Sequence, residues 1–268
     1  MLTDSPASAP ASPAAGSPIR SVDDVIRRLD ETLAWARAAR SPIGFFAALY
    51  HQTTQAIKSS IQQGVFDHPQ EVEQLDIAFA SRYFAALTAF QDGGQPTRSW
   101  ACAFDAARHW WPTTLQHLLI GMNAHINLDL GIAVASAVPA ALLPAFQSDF
   151  DKVNSILGNL VPAVDSDLSI IWPLLRAINR YFSAEEQWCI NLDMGDARAR
   201  SWQLALTLSQ LDAAARASAI DKLDARVAEL SRFIRRPGLL LGGGLRIVRL
   251  GELGSVTKKI DDLLRKKK

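Results

Sequence analysis

Cysteine is scarce: the 268 residues hold only Cys102 and Cys189. Two thiols cannot build a disulfide scaffold, and their rarity points to a reducing compartment, the cytoplasm. A surplus of charge is also missing. The 28 Lys+Arg and 27 Asp+Glu leave a net charge of +1, so there is no broad basic field for nucleic acid. No uninterrupted run of about 20 apolar residues occurs, so no conventional membrane span is expected. HExxH, the Walker loop and G-x-S-x-G are absent, and Gly242-Gly243-Gly244 lacks the Lys-Ser/Thr that follows in a phosphate loop. What is present is apolar: hydrophobic residues make up 49% of the chain. That share excludes a disordered protein and predicts one large core.

Residues 1–18, MLTDSPASAPASPAAGSP, are rich in Ala, Ser and Pro and read as a disordered leader outside the fold. They have neither the basic start nor the apolar stretch of a signal peptide. Helix signals dominate from there on. Ser21 can cap SVDDVIRRLDETLAWARAAR, Ser41-Pro42 and Pro69 open two further helices, and Gly93-Gly94 ends the second of these. Thr97 precedes a short helix through Trp100 and Phe104, and Pro112 opens TTLQHLLIGMNAHINLDLGIAVAS. Helical patterns follow after Pro139 and Pro144, in 167–182, after the capping box Ser183-x-x-Glu186, and from Asp212 to Arg236. Only LRIVRL (245–250) alternates like a strand. The expected fold is all-α: a single multi-helix bundle domain over residues 19–238 with a buried central helix. Residues 239–268, apolar and Gly-rich with a basic end, read as docked on that domain; the other reading is a peripheral membrane contact.

The central helix carries the chemistry. Asn123, His125, Asn127 and Asp129 interrupt an otherwise aliphatic stretch. At about 100° per residue His125 and Asp129 share one face and the two asparagines another. A buried carboxylate costs several kcal/mol unless paired, so Asp129 needs a partner. His125 and Asp129, four residues apart, suit either one divalent metal ion, with Asp76 as the third ligand, or an acid–base pair. Gly121, one turn earlier, leaves room for something to approach. Tyr83 follows Asp76 on the same face, and Arg198 stands in GDARARSW; both are candidates to hold an anionic or carbonyl substrate. Trp110, Trp111 and Phe84 are candidate walls of an apolar cavity, with His117 at its far end and Asn123 and Asn127 as polar contacts. His68 reads as a solvated loop residue, and Cys102 and Cys189 as buried thiols. Asn179, Ser183 and Gln187 have the spacing of a terpene-synthase metal triad, but Gln replaces the needed carboxylate.

GMNAHINLDL (121–130) resembles the signature of an uncharacterised family of bacterial helical proteins, a domain of unknown function. LYHQTT (49–54), LDIAFASRYFAAL (75–87), DFDKVN (149–154) and ARARSW (197–202) match in the same order, so the resemblance spans roughly residues 40–210. It implies that these polar residues belong to one site and brings no assigned reaction. The central His-x-x-x-Asp also resembles that of the zinc phospholipase C and P1-nuclease families. Those enzymes need further histidines after the pair, and His125 is the last of five here. The resulting expectation is an enzyme, with a biosynthetic role in view, acting on a small, partly apolar substrate in a bundle cavity through His125 and Asp129. The alternative is a non-catalytic binding protein for a small or lipid-like molecule, using the same residues as a polar network. Nucleic acid is not an expected partner.

Overall fold

The computed structural model describes residues 18–158 and 194–265. The leader, the helical pattern at 167–182, the capping box at Ser183, the Asn179/Ser183/Gln187 spacing and Cys189 lie outside the described residues. Among the described residues all regular structure is helical. The chain runs through α1 (Val22–Ala38), α2 (Ile43–Gln62), α3 (Pro69–Gln91) and α4 (Arg98–Ala106). It continues through α5 (Thr114–Met122), a π-helical segment (Asn123–Leu130), α6 (Gly131–Ala137) and α7 (Leu143–Gly158). After the gap come α8 (Met194–Gln210), α9 (Ala213–Arg235), α10 (Gly238–Gly251) and α11 (Val256–Leu264).

Local chemistry sets these boundaries. The Ser21 hydroxyl accepts the Asp24 N–H, and Val25, Leu29, Leu33 and Ala36 repeat at helical spacing to bury one face of α1. Thr113 and Gln116 form a capping box at the start of α5. Gly93, at φ +74°, ends α3 in the left-handed conformation that glycine adopts without steric cost. Other helix starts are satisfied from a distance. Glu73 accepts the Val22 N–H, and Asp224 accepts those of Arg98 (2.7 Å) and Ser99 (3.0 Å). Glu252 accepts the Thr114 N–H at 2.9 Å. Asp149, fully buried, takes the N–H groups of Asp67 and His68 at 2.9 and 2.6 Å. Each carboxylate meets unpaired donors at the positive end of a helix dipole and ties two distant elements together. His68 is therefore no free loop residue: its Nδ1 lies 3.0 Å from Asp149, in the lock between α7 and the α2–α3 connection.

The continuous helix Thr114–Ala137 is the axis of the fold. Its most apolar window has a mean hydropathy of 1.4, long and apolar enough to cross a membrane, but 83% of that window is buried inside the bundle. It is apolar all round because it feeds three core clusters. Leu118 and Ala124 join Phe46, Tyr83 and Trp100; Ile126 and Leu130 join Phe146, Phe150 and Trp202; Leu128 and Ile132 join Leu208 and Val227. Where α6 meets α8 the approach is close. A Cβ on Gly131 would stand 2.7 Å from the Ser201 carbonyl oxygen, a backbone atom that cannot swing aside. Gly131→Ala is thus expected to lower stability by about 1–3 kcal/mol in urea unfolding. An unchanged midpoint would show that α8 can retreat freely.

Two local expectations are corrected. LRIVRL is part of α10: Leu245 turns inward while Ile247 and Leu250 stand exposed, a helical distribution with no neighbouring strand among the described residues. Cys102 is half-buried, its thiol 3.8 Å from the Ala228 carbonyl. Residues 238–265 are docked: Ile260 is fully buried over Gly44, Arg37 pairs with Asp261 at 2.8 Å, and Arg249 donates to the Trp110 carbonyl.

Candidate functional site

The eight residues Asn123–Leu130 wind as a π-helix rather than the expected α-helix. Such windings are rare and cluster at functional sites. Here one of the segment's carbonyls is engaged from outside: Ser201 on α8 donates to the Ile126 oxygen at 2.7 Å.

Asp129 finds its partner in α3 and α4. Arg82 Nε donates to one carboxylate oxygen at 2.6 Å and the Trp100 indole N–H to the other at 2.7 Å. Both oxygens are thus occupied, and Asp129 is inaccessible to solvent. His125 Nδ1 lies 3.9 Å from Asp129, beyond hydrogen-bond range. The imidazole stacks on Phe79, with centroids 3.5 Å apart and planes at 10°, and meets the edges of Tyr50 at 4.5 Å and Phe46 at 5.3 Å. Burial pulls its pKa down against the raising effect of Asp129, so His125 is neutral at physiological pH.

Several buried polar atoms have no hydrogen-bond partner among the described residues: both His125 nitrogens, the hydroxyls of Tyr50 and Tyr83 beside it, Asp76 Oδ2 and Arg198 Nε. Burial, and then Glu73, raises Asp76 to about 7. Burial also raises both tyrosines, with Asp76 adding to the effect on Tyr50. Arg198 donates through Nη1 to Asn154 at 2.7 Å, and burial lowers it to about 10.

Other expected site residues are placed differently. Asn123 donates to the Val227 carbonyl and to Ser231, both at 2.9 Å, and accepts from Asn127, so the asparagines staple the π segment to α9. Trp110 is 69% exposed, which suits no cavity wall. The Trp111 ring receives Arg236 at 5.6 Å, and Phe84 lies under Arg28 at 5.2 Å. The rings around His125 are instead Phe46, Tyr50, Phe79, Tyr83 and Trp100. The space at Gly121 is filled by Phe46, whose Cδ2 would stand 2.8 Å from an added Cβ. Beside it a cavity of about 20 Å³, lined by Phe46, Tyr83, Trp100, His117 and Gly121, has room for about one water. His117, lowered by burial to about 3, packs on Phe45 there. Among the described residues no three His, Cys, Asp or Glu side chains converge on a metal position. The His125/Asp129/Asp76 ligand set is not assembled, because Asp129 is committed to Arg82 and Trp100.

Arg82, Trp100, Tyr50 and Phe79 are site residues that sequence reasoning passed over. Arg82 carried a signal: a lone cation in AFASRYFAAL needs an anion for the same reason that Asp129 needs a cation.

No curated protein matches the chain, and no solved structure does. A family of unknown function, DUF5995, matches residues 22–237, which take in every segment singled out above as a match and the whole site around His125. The chain belongs to this family.

Proposed function

We propose that the chain is a proton-transfer enzyme for a small, partly apolar substrate held at the π segment, with His125 as base and Asp76 as acid. The observation that carries this reading is a set of buried polar atoms, on His125, Tyr50, Tyr83, Asp76 and Arg198, that have no hydrogen-bond partner among the described residues. Each unpaired buried group costs about 1–3 kcal/mol, and folding alone gives no return for placing five such side chains together. Neighbouring Asp129 and Asn123, by contrast, are fully paired. A ligand that uses those atoms supplies the missing partners.

The acid–base version is favoured over the metal version because each Asp129 oxygen already accepts a hydrogen bond, from Arg82 and from Trp100. Its role is positioning: anchored by Arg82 and Trp100, it holds its charge near His125 Nδ1. Neutral His125 accepts a proton through its open nitrogen, and Asp76, half-protonated near pH 7, returns one. Tyr83 and Arg198 bind the substrate's polar end.

The reaction class can be tested without knowing the product. Small ketones and oxo acids that raise the protein's Tm are incubated in D2O, and loss of the proton α to the carbonyl is followed by NMR. Wild type is expected to catalyse exchange, with a rate that falls above pH 7 as Asp76 ionises and falls in acid as His125 takes up its proton. His125→Asn is expected to slow exchange about 10²–10⁴-fold. Stabilising compounds that never exchange would overturn the enzyme reading and leave a non-catalytic binding protein.

A further inference from the structure

Arg198 sits on the face of α8 that meets the π segment. Ser201, one turn further along α8, holds the Ile126 carbonyl, next to His125. The Arg198 residue is only 5% exposed. Several other arginines have carboxylates: Arg82 pairs with Asp129, Arg37 with Asp261 and Arg235 with Asp105. Arg198 has the neutral amide oxygen of Asn154 on Nη1, nothing on Nε, and no carboxylate partner among the described residues. A guanidinium stays protonated even when burial weakens it, so this is a buried positive charge with no counter-charge among the described residues. Buried charges are paired in folded proteins, and an unpaired one marks where an anion belongs.

We infer that the ligand of this site is a monocarboxylate, its carboxylate seated on Arg198 and its apolar body against Phe79 and Tyr50. The inference rests on the reading of the His125 cluster as a ligand site. One charge is the number that fits: the cluster's other cation, Arg82, is already committed to Asp129, so a phosphate dianion would bring a second negative charge with nothing to meet it. The aromatic side chains of Phe79 and Tyr50 packed beside His125 favour a short aliphatic or aromatic body over a sugar-like one. Asn154 is the positioning residue: its oxygen fixes Nη1 and leaves the Nε edge for the carboxylate.

Calorimetric titration of the full chain tests this with hexanoate and phenylacetate, their uncharged amides, and inorganic phosphate. The carboxylates are expected to bind at least about tenfold more tightly than the amides, and phosphate is expected not to compete. Arg198→Gln is expected to weaken carboxylate binding at least about tenfold, and Arg198→Lys less, because it keeps the charge and loses the fork. A second readout separates ligand anchor from structural prop. Without ligand, Arg198→Gln is expected to hold or raise Tm, because it removes an uncompensated buried charge. Equal binding of acids and amides, no binding of either, phosphate as the better ligand, or a lower Tm with affinity unchanged would each overturn the inference. Failure of the proton-transfer reading looks different. Arg198-dependent carboxylate binding without any exchange would sink that reading alone. His125-dependent exchange of neutral ketones, insensitive to Arg198→Gln, would sink the carboxylate alone.

Discussion

At pH 8 an Asp76→Asn variant is expected to be more stable than wild type by about 2–4 kcal/mol, and at pH 4 the two are expected to coincide. Asp76 is 8% exposed, and burial raises its carboxyl from the ordinary 3.8 to about 7. In the unfolded chain it ionises near 3.8; in the fold it holds its proton until about 7. Between these values the unfolded state loses a proton that the native state keeps, so stability is full below about pH 4, falls as pH rises from about 4 to about 7, and is level above. One pKa unit is worth about 1.4 kcal/mol, and a shift of this size bounds the loss at about 4 kcal/mol. Asn keeps the shape and cannot ionise, so it escapes the loss. Urea unfolding at the two pH values measures the difference, and an equal effect at both would mean that Asp76 finds a partner on ionising. The same variant removes the proposed acid and is expected to slow α-proton exchange. A residue that costs stability at working pH and yet occupies the core is what a site under functional demand retains.

The bundle was legible in the sequence because helix ends are local chemistry. Ser21, Pro69, Gly93 and Asp212 declare their caps and stops within four residues, and the structure places α1, α3 and α9 accordingly. The all-round apolar character of 118–134 likewise announced a central helix, since only burial on every side tolerates it. What failed was whatever depends on a distant neighbour. Gly121 read as an opening, yet the residue that fills it is Phe46, on another helix. Alternation in LRIVRL suggested a strand, yet strands need partners, and this segment has the inward Leu245 and outward Ile247 of a docked helix. The requirement that Asp129 be paired was readable, whereas its partners stand 47 and 29 residues earlier in the chain, on two helices whose approach no local pattern encodes. The π winding was unreadable for the same reason: the Ser201 hydroxyl that engages it comes from 75 residues away.

Asp129→Ala is expected to cost about 3–5 kcal/mol in urea unfolding, the largest loss for any single side chain of the site. The carboxylate accepts from one buried and one partly buried donor, so its removal strands the Trp100 indole N–H and leaves the Arg82 guanidinium without its anion. Asp129→Asn keeps one acceptor oxygen and is expected to lose about half as much. The Arg82→Met/Asp129→Leu double variant is expected to recover most of the loss, because filling the same volume with apolar atoms leaves no charge behind. The Trp100 indole N–H resonance, assigned with Trp100→Phe, should move upfield in both Asp129 single variants as the 2.7 Å charge-assisted bond is lost. Asp129 also raises the His125 pKa, so its removal lets burial act unopposed and lowers His125 further. In Asp129→Asn the acid limb of the exchange profile is therefore expected to shift to lower pH while the limb set by Asp76 stays in place. A limb that does not move would mean that Asp129 only props the bundle; one that moves without loss of the fold makes it the residue through which Arg82 and Trp100 set the proton affinity of His125.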